Sequence, residues 1–355
     1  MAPAAVGAAI VAATTIPNAF ASGDNPSLPV LSAADLLTAV RTSDVQALSG
    51  TVRVNSALGL PALPNRFAAA GGPAALLTGS HTMRVWADGP ERQRVALLGD
   101  LAENDFVHNG ADVWTYDSSH HAATHYVLPR QHGAPPRPDE GTANSANPAD
   151  AGRHLLDGLD PSTTTSVTGT GRVAGRPAYE LTVVPRTADS LISRVRIAID
   201  SATHVPLRLE IYAIGHSAPA WSTGFTDVSF RTPAASVFRF SPPAGAAVAD
   251  HSVTDQAGPG ERAGSSGRNA TAPRTIGTGW ATVIELPAGS AAAASGTSGR
   301  ERSGNPLEWL IRASTPVPEG RLLTTRLASV LITPDGRIFV GAVPPAVVRA
   351  AAAAR

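Results

Sequence analysis

The chain has no cysteine and no lysine, and charged residues make up only 16% of its 355 positions. Without cysteine there can be no disulfide, thiolate zinc site, cysteine nucleophile or lipid-modified N-terminal cysteine. The 28 basic residues, all arginine, balance 28 acidic ones. That leaves no basic stripe to neutralise phosphates, so nucleic acid is set aside as a partner. No Gly-x-Ser-x-Gly elbow, His-Glu-x-x-His pair or Walker sequence occurs. The expectation is therefore a binding protein and not an enzyme, with no cofactor and no metal.

What is present is ample apolar material, 43% of the chain, enough for a true core at a length that suggests two domains. Alanine, glycine and proline are abundant, so alanine runs are weak evidence for helix. Residues 1–21 read as an export signal. Ala4 to Ile16 is uncharged and mostly small or apolar, and Ala19-Phe20-Ala21 before Ser22 fits the small-x-small cleavage pattern. No basic residue precedes Arg41, so the expectation is that the charged n-region of the signal lies upstream of residue 1. The alternative is an apolar N-terminus with no export role.

Ser32 to Leu48 has the spacing of a helix, with Ser32 as N-cap and Gly50 as its end. Strands follow at Thr51–Ser56 and, after a Pro/Gly/Ala-rich insertion over Leu60–Gly79, as a meander from Ser80 to Leu128. Asn109-Gly110 predicts a type I′ hairpin with positive φ at both residues. Within it Trp114 and Tyr116 share one face and Val113, Thr115 and Asp117 the other. Arg130–Asn147 reads as a loop and Ala149–Leu159 as a helix. A second series of strands covers Thr165–Val173, Arg176–Pro185, Ser193–Ile199, Pro206–Ile214 and Ser222–Phe230, divided by turns at hairpin spacing. Residues 249–274 read as a flexible linker, and 275–350 as a small α+β domain with a hairpin turning at Asp335-Gly336 and a last helix from Pro345.

The phrases VWADGPERQRVALLGDLAENDFVHNGADVWTYDS, VAGRPAYELTVVPR, RVRIAIDSATHVPLRLEIY and FRFSPPAGAAV, in this order after an N-terminal helix, resemble the LolA/LolB lipoprotein-carrier superfamily. The closest resemblance is to bacterial MucB/RseB-like σ-factor regulatory proteins, which add a second small domain. The resemblance covers about Ala33 to Val248 well and the C-terminal part weakly. It implies an α+β fold: a strongly curved antiparallel half-barrel over 30–248 that wraps helices and leaves an apolar cavity for acyl chains. Candidate lining residues are Trp86, Trp114, Tyr116, Tyr126, Val195, Ile197, Ile199, Leu209, Ile211 and Phe225; the plainer alternative for each is ordinary core, since alternation marks a buried face and not an empty one. An exported carrier or sensor of the cell envelope is the function implied, its partner an acyl chain of a lipid or lipoprotein and, for the regulators, a membrane anti-σ factor. The competing expectation is an interaction module that binds an anti-σ factor through both domains without lipid.

The remaining polar clusters give weaker signals. His120, His121 and His125 lie close enough for metal ligation with Asp117, but exposed turn histidines explain the spacing equally simply. Gly169 to Gly175 reads as hairpin chemistry and not a phosphate loop. Asp100, Glu103 and Asp105 read as a solvated edge. Arg172, Arg176 and Arg186 could meet an anionic head group or stand as exposed gatekeepers.

Overall fold

The computed structural model describes residues 25–60, 73–99, 102–128, 147–159, 162–252, 273–288 and 311–354. The expected export signal, the loop over 130–146 and most of the expected linker lie outside the described residues.

Helix α1 (Ala33–Arg41) starts as expected, the Ser32 hydroxyl accepting from the Asp35 amide at 3.1 Å. It ends early. Thr42, Ser43 and Asp44 offer side chains that compete for the backbone, and Leu48 belongs to strand β1 (Ala47–Ala57). There Leu48, Val52 and Val54 are all buried, at even spacings that suit a strand and not a helix.

Twelve strands form one sheet. Further strands of the first half are β2 (Thr78–Asp88), β3 (Arg92–Leu98), β4 (Glu103–Asn109), β5 (Asp112–Asp117) and β6 (Ala122–Val127). Helix α2 (Pro148–Asp157) precedes β7 (Thr163–Val173), β8 (Arg176–Pro185), β9 (Ile192–Asp200), β10 (Pro206–Ala213) and β11 (Trp221–Ser229). The spatial order is β12-β6-β5-β4-β3-β2-β1-β11-β10-β9-β8-β7. Two meanders are thus joined side by side where β1 pairs with β11. Strand β12 (Ala247–Ser252) runs parallel to β6, whereas the other pairs are antiparallel. It takes in residues that read as the start of the linker.

The hairpin between β4 and β5 forms one residue later than expected. Asn109 pairs with Asp112, so the loop is Gly110-Ala111 and only Gly110, at φ 64°, has positive φ. Glycine at the first loop position is the type II′ arrangement.

Both helices pack on one face of the sheet, here called the helix face. Two glycines permit the close contacts. A Cβ on Gly152 of α2 would stand 2.5 Å from that of Pro206 in β10, and one on Gly50 of β1 would stand 2.9 Å from the Phe225 ring. Leu36 and Val40 of α1 and Leu156 of α2 close over Leu181, Val195, Ile197, Ile199 and Leu209. A second cluster joins Val52, Met83, Val85, Leu97, Leu207 and Phe225. Val173 of β7 belongs to it although three strands separate β7 from β11, so the sheet bends toward its helix face at this end.

The C-terminal sheet has the order β13-β14-β18-β17-β16-β15, formed by β13 (Arg274–Ile276), β14 (Val283–Leu286), β15 (Thr315–Val317), β16 (Gly320–Thr324), β17 (Ser329–Ile332) and β18 (Ile338–Gly341). Helix α3 (Pro345–Ala353) packs its Val348 on Val283, Leu331 and Phe339. The two sheets meet through Leu191 N–H donating to the Ala342 carbonyl (2.8 Å), Arg326 N–H to the Leu58 carbonyl (2.8 Å) and the Trp280 indole to the Thr163 hydroxyl (2.8 Å).

Candidate functional site

Cross-strand register assigns each candidate residue to a face, because directly opposed residues point the same way. Val95 opposes Val85 on one side and Phe106 on the other, and Phe106 opposes Thr115, which opposes Thr124. The next row runs Gln93, His108, Val113, Tyr126. The row beyond joins Val52, Met83, Leu97, Asn104 and Asp117. All three rows belong to the helix face, since Val52, Met83 and Val85 lie in its core.

Seven of the ten candidate lining residues are on this face. Val195, Ile197, Ile199, Leu209 and Phe225 are buried, and Ile211 packs against the same core. Tyr126, 36% exposed, is the seventh. Trp86, Trp114 and Tyr116 are on the opposite face, since Trp86 opposes Arg94, Arg94 opposes Val107, and Val107 opposes Trp114. They do not face an open trough. The segment from Ala235 to Ala246, ahead of the edge strand β12, straps over this face: Phe238 is 1% exposed, and the Phe240 ring lies 5.4 Å from Trp114 and 5.7 Å from Tyr116. Arg94 sits over Trp86, forks onto Asp105 at 3.0 and 3.1 Å and donates to the Val237 carbonyl.

The helix face is therefore covered unevenly. Over β8–β10 it is closed by α1 and α2, whereas over β3–β6 Val95, Phe106, Val113 and Thr115 are half-buried and Tyr126 is exposed. Phe106, Val95 and Val113 were missed as candidates. The signal was available in the alternation of the β4–β5 hairpin, but it was outweighed by the size of Trp114 and Tyr116. Polar groups bound the patch, with Gln93 and His108 in one outer row and Asn104 and Asp117 in the other. Burial works against ionisation of Asp117, but hydrogen bonds from Ser119 and His120 outweigh it and hold the carboxyl below its usual range.

Several polar expectations change. Asp105 is 8% exposed and paired with Arg94, so it is no solvated edge. Arg176 is no free cation: it forks onto Asp200 and lies 4.8 Å over the Phe230 ring. Of the three turn histidines, His120 and His121 are exposed, whereas the His125 side chain is only 17% exposed. Among the described residues, no group of three or more His, Asp and Glu is arranged to hold a metal ion.

Separately, a cleft of about 340 Å³ lies between the two sheets, lined by Leu58, Leu191, Ile214, His216 and Arg326 among others. Among the described residues no helix is long and apolar enough to cross a membrane.

No family model and no curated protein matches the chain. Among solved structures it is similar to the MucA/MucB complex of Pseudomonas aeruginosa, with 17% identity, 90% of this chain and 96% of that chain covered and a TM-score of 0.44. It is similar to an uncharacterized conserved protein of Thermus thermophilus, with 15% identity, 62% and 99% covered and a TM-score of 0.35. It is also similar to a LolA-superfamily protein of Nitrosomonas europaea, with 11% identity, 59% and 99% covered and a TM-score of 0.24. At these TM-scores, function rests on the chain's own residues.

Proposed function

We propose that the large sheet is an open half-barrel and that this protein is an exported carrier or sensor of the cell envelope that holds an acyl chain against the helix face of β3–β6. One observation carries the reading: Phe106, Val113 and Tyr126 share a continuous apolar face with the core, yet the helices that close that face over β8–β10 leave these residues only partly covered. Adjacent strands lie about 4.8 Å apart, so the patch from β3 to β6 spans about 14 Å. An alkyl chain covering about 200 Å² of it gains about 5 kcal/mol, at about 25 cal/mol per Å². Its polar borders suit a head group at the rim. The function is binding, without cofactor or metal.

Lipid extraction and native mass spectrometry of the full chain, purified from a bacterial envelope fraction, test the proposal. A bound lipid at one per chain is expected. A protein that carries none and takes up none from added fatty acid or phospholipid contradicts it.

The cleft between the sheets favours a second reading, a partner-binding module in which a segment of a membrane anti-σ factor seats on both units. Ile214, 55% exposed at the cleft, supplies an apolar contact and Arg326 a cation. Ile214→Asp abolishing partner capture while lipid content stays unchanged would separate this reading from the first.

A further inference from the structure

Strands β1 and β2 present a second surface on the side away from the helices. Trp86 is on that face, and Arg84, two residues before it on β2, shares it. Arg53 of β1 opposes Thr82 and Gly224, and Thr51 opposes Arg84 and Asp227, so Arg53 and Arg84 are diagonal neighbours about 7–8 Å apart. A third arginine joins them from the strap. Arg239 has extended backbone, φ −99° and ψ 116°, between Phe238 and Phe240. Both rings pack toward the sheet, so the Arg239 side chain points away from it. All three arginines are exposed, and none has a carboxylate partner among the described residues.

The other charges of this face are largely taken. Arg94 pairs with Asp105, Arg196 with Glu180 and Arg208 with Glu210, at 3.0, 2.7 and 3.6 Å. Asp227, beside Thr51, and Glu103 of β4 offset the free arginines in part. Asp112 and Asp250 meet His125 near the β12 edge. Strand β5 is four strands from β1, about 19 Å and so about two Debye lengths away. A chain with 28 basic and 28 acidic residues thus carries uncompensated arginine where its two meanders join.

The surroundings select the partner. Strands β1 and β2 have neighbours on both sides, so their backbones offer no edge to a peptide strand. Thr51, Thr82, Asn55, Ser222 and Gly224, which stand among and beside Arg53 and Arg84, are short and supply no apolar anchor for a folded partner. A phosphate-bearing surface needs neither an edge nor a pocket, only exposed cations, and arginine forks onto phosphate.

We propose that the β1–β2 face, with Arg53, Arg84 and Arg239, docks the protein on an anionic phospholipid surface through the head-group phosphates. This face lies opposite the helix face, so docking and acyl-chain binding do not compete, and neither reading requires the other.

Sedimentation of the full chain with vesicles tests this. Binding is expected to vesicles of phosphatidylcholine and phosphatidylglycerol mixed at about three to one, and is expected to be lost near about 0.5 M salt. Vesicles of phosphatidylcholine alone, with the same acyl chains, are expected not to bind, which separates head-group docking from capture of an acyl chain. Each arginine near an anionic surface strengthens association about fivefold, so Arg53→Gln combined with Arg84→Gln is expected to weaken binding about 25-fold. Asp227→Asn should strengthen it, and Arg53→Lys with Arg84→Lys should keep most of it. Denaturation midpoints of these variants should match the wild type, since the changed side chains are exposed. Equal binding to both kinds of vesicle, or wild-type binding by the glutamine variant, overturns the proposal. So does salt-sensitive binding of soluble polyglutamate with none to vesicles, which would give the face to an acidic polypeptide.

Discussion

Trp114 and Tyr126 stand on adjacent strands, β5 and β6, yet on opposite faces of the sheet: Trp114 opposes His125, and Tyr126 opposes Val113. The first aromatic is covered by the strap through Phe240, and the second lies on the partly covered helix face. The two rings therefore have different surroundings, and substitution separates them.

Trp114→Ala removes a ring that packs on His125 and Phe240, and is expected to cost about 3 kcal/mol of stability. Lipid affinity of the protein that remains folded should hold. Tyr126→Ala is expected to cost about 1 kcal/mol of stability, since the residue is 36% exposed and its ring stacks on His251 of the edge strand at 5.3 Å, and to weaken fatty-acid binding about tenfold. Chemical denaturation and a fluorescent fatty-acid titration on the same samples check both outcomes.

Phe106→Asp places a charge in the middle of the half-buried apolar row. Uptake of acyl chains should be lost while the circular-dichroism spectrum of the sheet is retained. A variant that still copurifies with lipid at the wild-type level would place the ligand elsewhere.

Asp200 is a structural carboxylate whose effect depends on pH. Burial opposes its ionisation, but the hydrogen bonds from Arg176 and from the Thr203 amide and hydroxyl outweigh it, so its carboxyl is held below the ordinary range. A carboxyl with a depressed folded-state value stabilises fully above its unfolded value, about 3.9, and loses that contribution as pH falls through the lower folded value. Asp200→Asn is expected to destabilise by about 3 kcal/mol at pH 6. The gap between wild type and variant should shrink below about pH 3.9, as read by urea denaturation across the acid range.

Gly152→Ala tests the seating of α2. The added Cβ would meet the Pro206 ring at 2.5 and 2.9 Å, so the helix must lift from β10. A loss of about 2 kcal/mol is expected from overpacking, despite the better helix propensity of alanine. A stabilised variant would show that the helix moves freely over the sheet.

Much of the first sheet was legible in the sequence because turns punctuate it: β8 begins at Arg176 after Gly175, and β9 and β10 flank the Asp200–His204 turn where expected. The end of α1 was less so, because Val45 and Leu48 continue a helical spacing and only the tertiary burial of Leu48 and Val52 in the core decides for a strand. Face assignment failed for a different reason. Alternation orders residues within a strand, but parity is reset at every turn, so Trp86, Trp114 and Tyr116 could not be aligned with Ile197 or Phe225 from sequence alone. The strap was illegible too: the covering of Trp114 by Phe240 joins residues more than a hundred positions apart and carries no local pattern.

The proposed acyl-binding face is tested most directly by paramagnetic relaxation NMR of the methyl- and aromatic-labelled protein with a nitroxide-labelled fatty acid. Binding on the helix face of β3–β6 predicts broadening of Val95, Phe106, Val113 and Tyr126, with Trp86, Trp114 and Tyr116 less affected. Broadening centred on Trp86, Trp114 and Tyr116, or no broadening at any of these residues, would contradict it.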